Sequence, residues 1–531
     1  MVQKYMGEQG TYYRRHYCTI AICCPSRVSL LTGKHAHNTN VTDVSPPYGG
    51  YPKFISQGLN DEYLPVWLQE AGYNTYYTGK LMNAHSTSNY DNPFPKGWTA
   101  HDFLIDPGTY KYWNATFQRN TSPPTSFPNE YNTDLVADRA LAFLTDAHAA
   151  SRPFFLGIAP IGPHADTLYP AGATTPIFTI PKPATRHAAA FPNASVPRSP
   201  NFNPAAPSLA GWIAALPPLN ASETAFADAW FRARLQALQA VDELVGRVVE
   251  RLEELGVGDE TFVFYTSDNG FHVGQHRLQP GKSCPVEEDV NVPFFVRGPG
   301  VARGEVVERV TTHTDVAPTL LELAGVPLRA DFDGEPIPVV AARGGAEGGR
   351  REHVNVEYWG PALIGEGMYS PSIAEAADGA YGNNTYKALR IVGESYSFFY
   401  TVWCSNEHEL YDMESDPGQM HNLLANGTQQ PSGLFLGRPI QQLQPRLDAL
   451  LMVLKSCKSD SCRLPWDSLH PNATVSVLSD AMNPKYDTFY ARQPKVEFSR
   501  CEFGYILDAE GPQNVEPYRV TKQNGHQENT I

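Results

Sequence analysis

A short stretch near the N-terminus combines a cysteine, a proline and an arginine at spacings that could do chemistry on an anion. It reads Cys23-Cys24-Pro25-Ser26-Arg27-Val28-Ser29-Leu30-Leu31-Thr32-Gly33. Pro25 suits the first turn of a helix, and Gly33 suits the position just after its last turn. Cys23 would then lie at the helix N-terminus, where unpaired N–H groups attract anions, and Arg27 could bring its planar guanidinium to the same place. The stretch is consistent with chemistry on sulfate or phosphate, or with a helix start that holds a structural cysteine.

Four polar residues follow apolar, strand-like segments, where a parallel sheet would gather them. They are Lys80 after 74–78, His164 after 153–160, and Asp268 with Asn269 after 261–267. In open α/β sheets, functional residues lie just beyond the carboxyl ends of the strands. The oxygens of the last pair suit Ca²⁺ or Mg²⁺, although Asp-Asn-Gly is also a common turn sequence. Taken singly, Lys80 and His164 also fit ordinary loop residues, so it is their shared placement that favours a site.

Helical patterns alternate with these strands and must position them. The apolar spacing predicts helices at 64–68 and 131–147, and most clearly at 225–255, where leucines and valines recur every three or four residues. Residues 84–130 and 165–220 carry no such pattern and are expected to form loops near the site. The alternation of strands and helices predicts an α/β fold.

The stretch around Cys23 resembles the signature of the type I sulfatases, which is Cys-x-Pro-Ser-Arg followed by Leu-Thr-Gly. Together with Gly33-Lys34 and His37-Asn38, the Cys-Cys doublet is most similar to the glucosamine-6-sulfatase branch and its fungal arylsulfatase relatives. In this family, a maturation enzyme oxidises the first cysteine to formylglycine, whose hydrate attacks the sulfur of a sulfate ester and later releases sulfate. The resemblance implies that Cys23 is the modified residue and that the protein is an arylsulfatase-type sulfuric ester hydrolase.

The resemblance implies roles for further residues. Lys80, in Gly79-Lys80, would bridge the sulfate and the formylglycine, and His164, in Pro163-His164, would contact the sulfate and protonate the leaving group. Arg27 would hold the nucleophile and support the charge. Lys282 is similar to a second sulfate-binding lysine and is the less favoured proton donor, and His272 is similar to a histidine that faces the substrate.

A metal site is also implied by the resemblance. Asp268 and Asn269, with the modified Cys23, would ligate Ca²⁺, and Mg²⁺ is the less favoured ion. Sulfatases of this kind open with a strand ending in Asp-Asp, which supplies two more ligands, whereas the first aspartate here is Asp43. We therefore expect the sequence to lack its natural start, including that strand, half of the metal site and any signal peptide.

The implied fold is alkaline-phosphatase-like, with a large mixed, mostly parallel central sheet flanked by helices and a smaller C-terminal domain with an antiparallel sheet. We expect a catalytic domain at 1–340 and a linker at 341–352 that is rich in Gly, Ala and Arg. A small α+β domain would follow at 353–425. The remainder, 426–531, would form a C-terminal helix and an irregular extension.

Bulk properties narrow the possible partners. The chain has 531 residues and a formal net charge of −15, which argues against binding to nucleic acid. No apolar run approaches the roughly 18 residues needed to span a bilayer. Among eight cysteines, Cys457 and Cys462 could close a small disulfide loop, whereas no second Cys/His pair follows at zinc-site spacing.

Glycosylation signals favour a secreted protein, or one in a lysosome-like or vacuole-like compartment. Eight Asn-x-Ser/Thr sequons begin at Asn40, Asn114, Asn120, Asn193, Asn220, Asn383, Asn426 and Asn472. The expected partners are a small-molecule or saccharide sulfate ester and the maturation enzyme that makes formylglycine.

Three other functions remain open from the sequence. The first is a sugar sulfatase similar to glucosamine-6-sulfatase. The second is a phosphatase or phosphonate hydrolase of the same superfamily. The third is a non-catalytic protein that binds anions or glycans.

Overall fold

The computed structural model describes residues 1–168, 177–340, 351–361, 383–425, 433–471 and 473–513. Most of the predicted linker at 341–352 lies outside the described residues, as do the sequons at Asn426 and Asn472.

The strands are mostly short. Their bounds are β1 (Thr11–Tyr13), β2 (His16–Tyr17), β3 (Asn74–Lys80), β4 (Ala100–Leu104), β5 (Trp113–Arg119), β6 (Thr125–Tyr131), β7 (Phe154–Ala159), β8 (Asp166–Leu168), β9 (Ile177–Thr179), β10 (Val263–Thr266), β11 (Phe294–Arg297), β12 (Glu305–Val307), β13 (Thr311–Thr312), β14 (His353–Tyr358), β15 (Tyr386–Val392), β16 (Ser397–Trp403), β17 (His408–Asp412), β18 (Glu497–Phe498) and β19 (Glu510–Gly511).

The helices range from single turns to one of 34 residues. Their bounds are α1 (Cys23–Thr32), α2 (Ala36–Thr39), α3 (Gly50–Ser56), α4 (Leu64–Glu70), α5 (Asn132–Ala149), α6 (Gly211–Ala214), α7 (Ala221–Glu254), α8 (Glu287–Val290), α9 (Val316–Leu323), α10 (Ile440–Leu454), α11 (Asp460–Arg463), α12 (Pro465–Leu469), α13 (Leu478–Ala481) and α14 (Asp487–Tyr490). Short 3-10 and π turns, such as Gln3–Gly7 and His313–Asp315, connect them.

Two mixed sheets carry the predicted strand-end residues. One has the order β6-β5-β4-β3-β7, in which β3 pairs in parallel with both β4 and β7. The other has the order β10-β11-β1-β12, with β1 antiparallel to β11 and parallel to β12. Helix α5 contacts β3 and β7, and α7 packs on α5. The predicted α/β architecture with a mixed sheet flanked by helices is confirmed.

Local sequence explains where α1 begins and ends. Ile22 precedes it in an extended conformation, and Gly33 ends it with φ of +69°. A Cβ atom at Gly33 would lie 2.6 Å from the Phe332 ring, so glycine serves both the left-handed turn and the close packing. Cys23 is therefore the first residue of the helix, as the capping pattern predicts.

A slot separates the two sheets. The edge strands β7 and β10 both line one cavity of about 530 Å³, which is also lined by α7 with Leu238, Val241 and Leu244 and by α1 with Leu30 and Leu31. Every residue of β7 and β10 is half-buried. Although both strands are apolar, they are not fully buried, because in the described part of the chain each pairs with one neighbour and turns its other edge to the slot.

Two further expectations need correction. Residues 84–130 contain β4, β5 and β6, which extend the sheet beyond β3, rather than a surface loop. Their Asn-, Pro- and Tyr-rich sequence hides the strands because the outermost, β6, is largely exposed and lacks an apolar face. A proline inside a helix usually interrupts it, but helix α10 runs through Pro445 and buries Leu443 and Leu447 in the C-terminal core.

The C-terminal part contains the predicted antiparallel sheet, in the order β14-β15-β16-β17. Helix α10 and the short helices after it share one core with this sheet. A disulfide joins Cys457 to Cys462, as the spacing predicts, and a second joins Cys404 to Cys501. Within the described ranges, no helix is both long and apolar enough to cross a membrane.

Candidate functional site

Cys23 and Lys282 are in contact at the N-terminus of α1. Lys282 Nζ donates a hydrogen bond to Cys23 Sγ over 3.0 Å, although the residues are 259 positions apart. Both side chains are buried. Lys282 lies in the loop between β10 and α8, which folds back on itself through paired backbone bonds between His272 and Gly281. This fold-back carries the lysine to the helix start.

Arg27 joins α1 to the ends of two strands. Its Nε donates to Asp268 Oδ2 over 2.7 Å, and its Nη1 donates to the carbonyl oxygen of Lys80. Ser26 Oγ also donates to the carbonyl oxygen of Asp268. Since Asp268 follows β10 and Lys80 ends β3, these bonds hold residues of both sheets at the start of the helix.

Lys80 is the last residue of β3 and is buried. Tyr77 OH donates to its carbonyl oxygen over 2.7 Å. The ammonium group lies over the ring of Tyr110, with Nζ 4.8 Å from the ring centroid. The lysine is thus held by its backbone and by an aromatic face.

His164 lies in the loop after β7. Its Nδ1 is 2.9 Å from the carbonyl oxygen of Ala165, and its backbone oxygen accepts a hydrogen bond from Tyr112 OH. The imidazole stacks on Tyr110, with ring centroids 4.1 Å apart. A carbonyl only accepts hydrogen bonds, so Nδ1 carries a hydrogen. A hydrogen bond between the His164 side chain and Cys23 also helps to lower the pKa of the Cys23 thiol.

Most of the side chains described above line the cavity that lies in the slot between the two sheets. The polar lining residues predicted from the sequence are Arg27, Lys80, His164, Asp268, Asn269 and Lys282. The structure therefore brings together residues that come from α1, from the ends of three strands and from the loop after β10.

Electrostatics favour a negative charge at position 23. Burial alone would raise the pKa of the Cys23 thiol, but Lys282 and Lys80 outweigh it and lower the pKa to about 6. Burial would also raise the pKa of Asp268, yet Arg27 and Lys80 hold it well below its usual range. Burial in turn lowers the pKa of Lys80. The positive charges around Cys23 therefore stabilise an anion at this position.

Asp268 and Asn269 fit part of a hard-cation site. Asn269 Oδ1 is buried and accepts no hydrogen bond from the described residues. Its neighbour in the chain, Asp268, carries a carboxylate, and carboxylate and amide oxygens are the ligands that Ca²⁺ and Mg²⁺ take. Ca²⁺ takes about six to eight oxygens, so these two side chains account for only part of a coordination sphere.

That His272 faces the substrate stays a prediction, and the structure shows which contacts hold its ring. It is buried, and its Nδ1 lies 2.9 Å from both carboxylate oxygens of Asp289. Asp289 Oδ2 also accepts a hydrogen bond from the Cys284 backbone over 2.8 Å. Neither His272 nor Asp289 is among the residues that line the cavity. The ring instead ties the two arms of the loop that carries Lys282.

Six sequons fall within the described chain. Asn40 is half-buried, and the exposed ones are Asn114, Asn120, Asn193, Asn220 and Asn383. The Asn220 side chain also caps α7 by accepting hydrogen bonds from the backbone of Ser222 and Glu223. Glycosylation of these positions stays a prediction.

Comparison with known proteins agrees with this geometry. Residues 2–326, more than half of the chain, match the sulfatase family. The chain belongs to the sulfatase family. It is therefore a sulfuric ester hydrolase, and the resemblance found around Cys23 is confirmed for the chain as a whole.

Relatives of this sulfatase extend over most of its length. It is 38% identical to the arylsulfatase of Volvox carteri over 524 residues, which cover 94% of this chain and 78% of the relative. It is 44% identical to sulfatase ppz1 of Metarhizium majus over 411 residues, which cover 77% and 86%. The N-acetylglucosamine-6-sulfatase of Homo sapiens is 31% identical over 481 residues, which cover 87% and 81%.

Solved structures share the fold of this sulfatase. One, in complex with its substrate D-glucosamine-2-N,6-O-disulfate, superimposes with a TM-score of 0.60 at 22% identity and covers 80% of this chain and 88% of its own. A phosphonate monoester hydrolase from Silicibacter pomeroyi superimposes with a TM-score of 0.51 at 19% identity, covering 80% and 86%. At these identities, the likeness concerns the fold.

Among the residues that line this sulfatase's cavity, Tyr110 and Arg234 are polar side chains that sequence reasoning did not single out. Tyr110 lies in the turn between β4 and β5, and the only signal for it would have been recognition of β4 as a strand parallel to β3. Arg234 lies on α7, where the recurring leucines and valines indicate a helix packed on a core and give no signal for a cavity residue. Its guanidinium stacks on Phe271, 4.1 Å from the ring centroid.

Proposed function

We propose that this sulfatase is an enzyme of the arylsulfatase type, which hydrolyses sulfate monoesters with a formylglycine made from Cys23. The observation that supports this most is the contact of Lys282 with Cys23 Sγ inside a buried cluster that also holds Arg27 and Lys80. A sulfate ester is anionic and gains charge on the leaving oxygen as the bond to sulfur breaks. Preorganised cations in a water-poor site stabilise such charge.

The chain's residues divide the work in this proposal. The hydrated formylglycine supplies the hydroxyl that attacks sulfur and a second one that allows sulfate to leave. Lys80 and Lys282 bind the sulfate oxygens, and Arg27 holds the helix start against both strand ends. His164 protonates the leaving oxygen from Nε2, since its Nδ1 is engaged by the Ala165 carbonyl.

A divalent cation belongs to the proposed site. Asp268 and Asn269 would hold Ca²⁺, in preference to Mg²⁺, and the ion would act as a Lewis acid on the sulfate oxygens. Because Ca²⁺ takes about six to eight oxygens, these two side chains would share the ion with further oxygen ligands.

The central experiment compares Cys23→Ala with Cys24→Ala in a host that makes formylglycine. Cys24 is the neighbouring buried thiol, whose pKa burial raises to about 12. Cys23→Ala should abolish hydrolysis of nitrophenyl sulfate, whereas Cys24→Ala should keep most of it. Undiminished hydrolysis by Cys23→Ala would contradict the proposal.

If the parent protein neither turns over any sulfate ester nor binds Ca²⁺ in a titration, the non-catalytic anion-binding alternative is favoured.

A sugar sulfatase is the second candidate. It is favoured by the 31% identity to N-acetylglucosamine-6-sulfatase over most of both chains. The ratio of kcat/KM for nitrophenyl sulfate and N-acetylglucosamine 6-sulfate separates the two functions. Nitrophenyl phosphate and a phosphonate monoester, measured beside them, test the phosphatase alternative.

We also propose that the protein is a secreted or lysosomal-type glycoprotein. Five of its sequons lie on exposed side chains, and two disulfides fit an oxidising compartment. A shift of electrophoretic mobility after glycosidase treatment of the protein from its own cells would be expected; an unchanged mobility would contradict it. The maturation enzyme is the protein partner that this proposal requires.

A further inference from the structure

Tyr110 links the two residues that the proposed mechanism places on opposite sides of the sulfur–oxygen bond. Its ring stacks on the His164 imidazole with centroids 4.1 Å apart and an interplanar angle of 24°. The same ring lies 4.8 Å from Lys80 Nζ. Tyr110, Lys80 and His164 all line the cavity. One aromatic side chain therefore touches both the sulfate-binding lysine and the proposed proton donor.

Two bonds hold Tyr110 in place from different parts of the chain. Asn83 Nδ2 donates to Tyr110 OH over 2.7 Å, from the loop that follows Lys80. The backbone oxygen of Tyr110 accepts a hydrogen bond from Thr167 N over 3.1 Å, from the strand that follows His164. The turn between β4 and β5 is thus fastened to the segments that follow Lys80 and His164, the two residues whose side chains the ring contacts.

The ring has a physical effect on each neighbour. The face of a phenol ring attracts an ammonium group, so it favours the charged form of Lys80, whose pKa burial lowers. Stacking on the imidazole fixes the plane of the His164 ring. Since Nδ1 is bonded to the Ala165 carbonyl, that plane also sets the direction of Nε2.

We propose that Tyr110 is a positioning residue that aims Lys80 Nζ and His164 Nε2 at one sulfate ester. This inference rests on the proposed sulfatase function. The ester needs a cation at the sulfate oxygens and a proton at the leaving oxygen in a single arrangement, and small misplacement of either is costly to the rate. Because the Tyr110 ring contacts both residues, it fixes the position of Lys80 Nζ relative to His164 Nε2.

The test compares Tyr110→Leu with Tyr110→Phe. Phenylalanine keeps the ring and loses only the bond from Asn83, whereas leucine fills part of the space without a π face. We expect Tyr110→Leu to weaken binding of inorganic sulfate roughly fivefold, the size of a partly buried cation–π contact, and Tyr110→Phe to stay within about twofold of the parent. Calorimetric titration with sulfate measures this, at a formylglycine content checked by mass spectrometry.

A second measurement, the dependence of kcat on the leaving group, tests the contact between Tyr110 and His164. Tyr110→Leu should lower kcat more for an alkyl or sugar sulfate than for nitrophenyl sulfate, because the poorer leaving group depends more on protonation. In the His164→Gln background, the further loss caused by Tyr110→Leu should shrink on the alkyl substrate, since the two residues act together. A merely structural tyrosine would lower kcat for both substrates equally.

The outcomes separate the inference from the function beneath it. Unchanged sulfate affinity and unchanged leaving-group dependence in Tyr110→Leu would overturn the role of Tyr110, even in an active enzyme. A parent protein that binds sulfate but cleaves no sulfate ester would refute the proposed function, and the sulfate affinities of the variants would still decide whether Tyr110 positions Lys80. A parent that binds no sulfate would overturn both.

Discussion

Lys282 Nζ and Cys23 Sγ lie 3.0 Å apart, and this contact explains the acidity of the thiol. Burial opposes ionisation of Cys23, whereas Lys282 and then Lys80 favour it, and the balance lowers the pKa to about 6. The same charges would stabilise an oxyanion on a modified residue at this position. The acidity of the unmodified thiol is therefore a measurable probe of the site's electrostatics.

Replacing Lys282 should weaken that acidity. In protein from a host without the maturation enzyme, Cys23 should ionise with a midpoint near pH 6. In Lys282→Met, we expect the midpoint to rise by roughly one to two units toward the usual cysteine value. Thiolate absorbance in the ultraviolet, with Cys23→Ala as the blank, measures it. Lys34→Met, which removes an ion pair with Asp331 instead, should leave the midpoint unchanged; equal shifts in both variants would contradict the assignment.

The loss of kcat on replacing the proposed proton donor, His164, should depend on the leaving group of the substrate. His164→Gln removes the proton and should lower kcat for an alkyl or sugar sulfate by roughly 10²–10⁴-fold, the usual range for general acid catalysis. For nitrophenyl sulfate, whose leaving group needs little protonation, the loss should be much smaller. Steady-state kinetics on both substrates measure this. The exposed His148, changed to Gln, is the control, and a uniform loss on both substrates would argue against proton donation.

The two disulfides should contribute unequally to stability. Cys404–Cys501 closes a loop of sequence separation 97, whereas Cys457–Cys462 closes one of 5. The loop-entropy relation gives about 4.7 kcal/mol for the long loop and about 2 kcal/mol for the short one. Replacing each pair by serines and measuring denaturant midpoints should reproduce this order. A larger loss from the short loop would show that strain or residual structure, rather than loop entropy, dominates.

Glu352 should make stability depend on pH in the weakly acidic range. Burial raises its pKa to about 7, although Tyr396 and Trp466 donate hydrogen bonds to it. Because the folded pKa lies above the unfolded one, the stabilisation is complete below about pH 4 and is lost as pH rises to about 7.

A Gln at this position should therefore flatten the pH dependence. Glu352→Gln should remove about 3 kcal/mol of the fall in unfolding free energy between pH 4 and pH 7, from the difference between the two pKa values. Chemical denaturation at several pH values measures it. The exposed Glu414, changed to Gln, should leave the slope as it is, and an unchanged slope in Glu352→Gln would rule out the buried carboxyl as its source.

Local patterns predicted most of the elements near the site. Helix α1, the strands before Lys80 and Asp268, and the disulfide of Cys457 follow from capping, apolar runs and spacing, all of which act within a few residues. The strands at 84–130 escaped prediction because β6 is exposed and lacks an apolar face. The half-burial of β7 and β10 also escaped it, because burial depends on what lies beside a strand rather than on its own sequence.

By itself, the sequence determined which reactive groups this protein has: a cysteine at a helix start, an arginine one turn later, and polar residues after apolar strands. Those features depend on neighbours along the chain. Only the tertiary structure decided which of them meet. It brought Lys282 to Cys23, turned His272 onto Asp289, and placed Tyr110 against both Lys80 and His164. These contacts join residues from 17 to 259 positions apart, so their geometry depends on how strands and loops pack together.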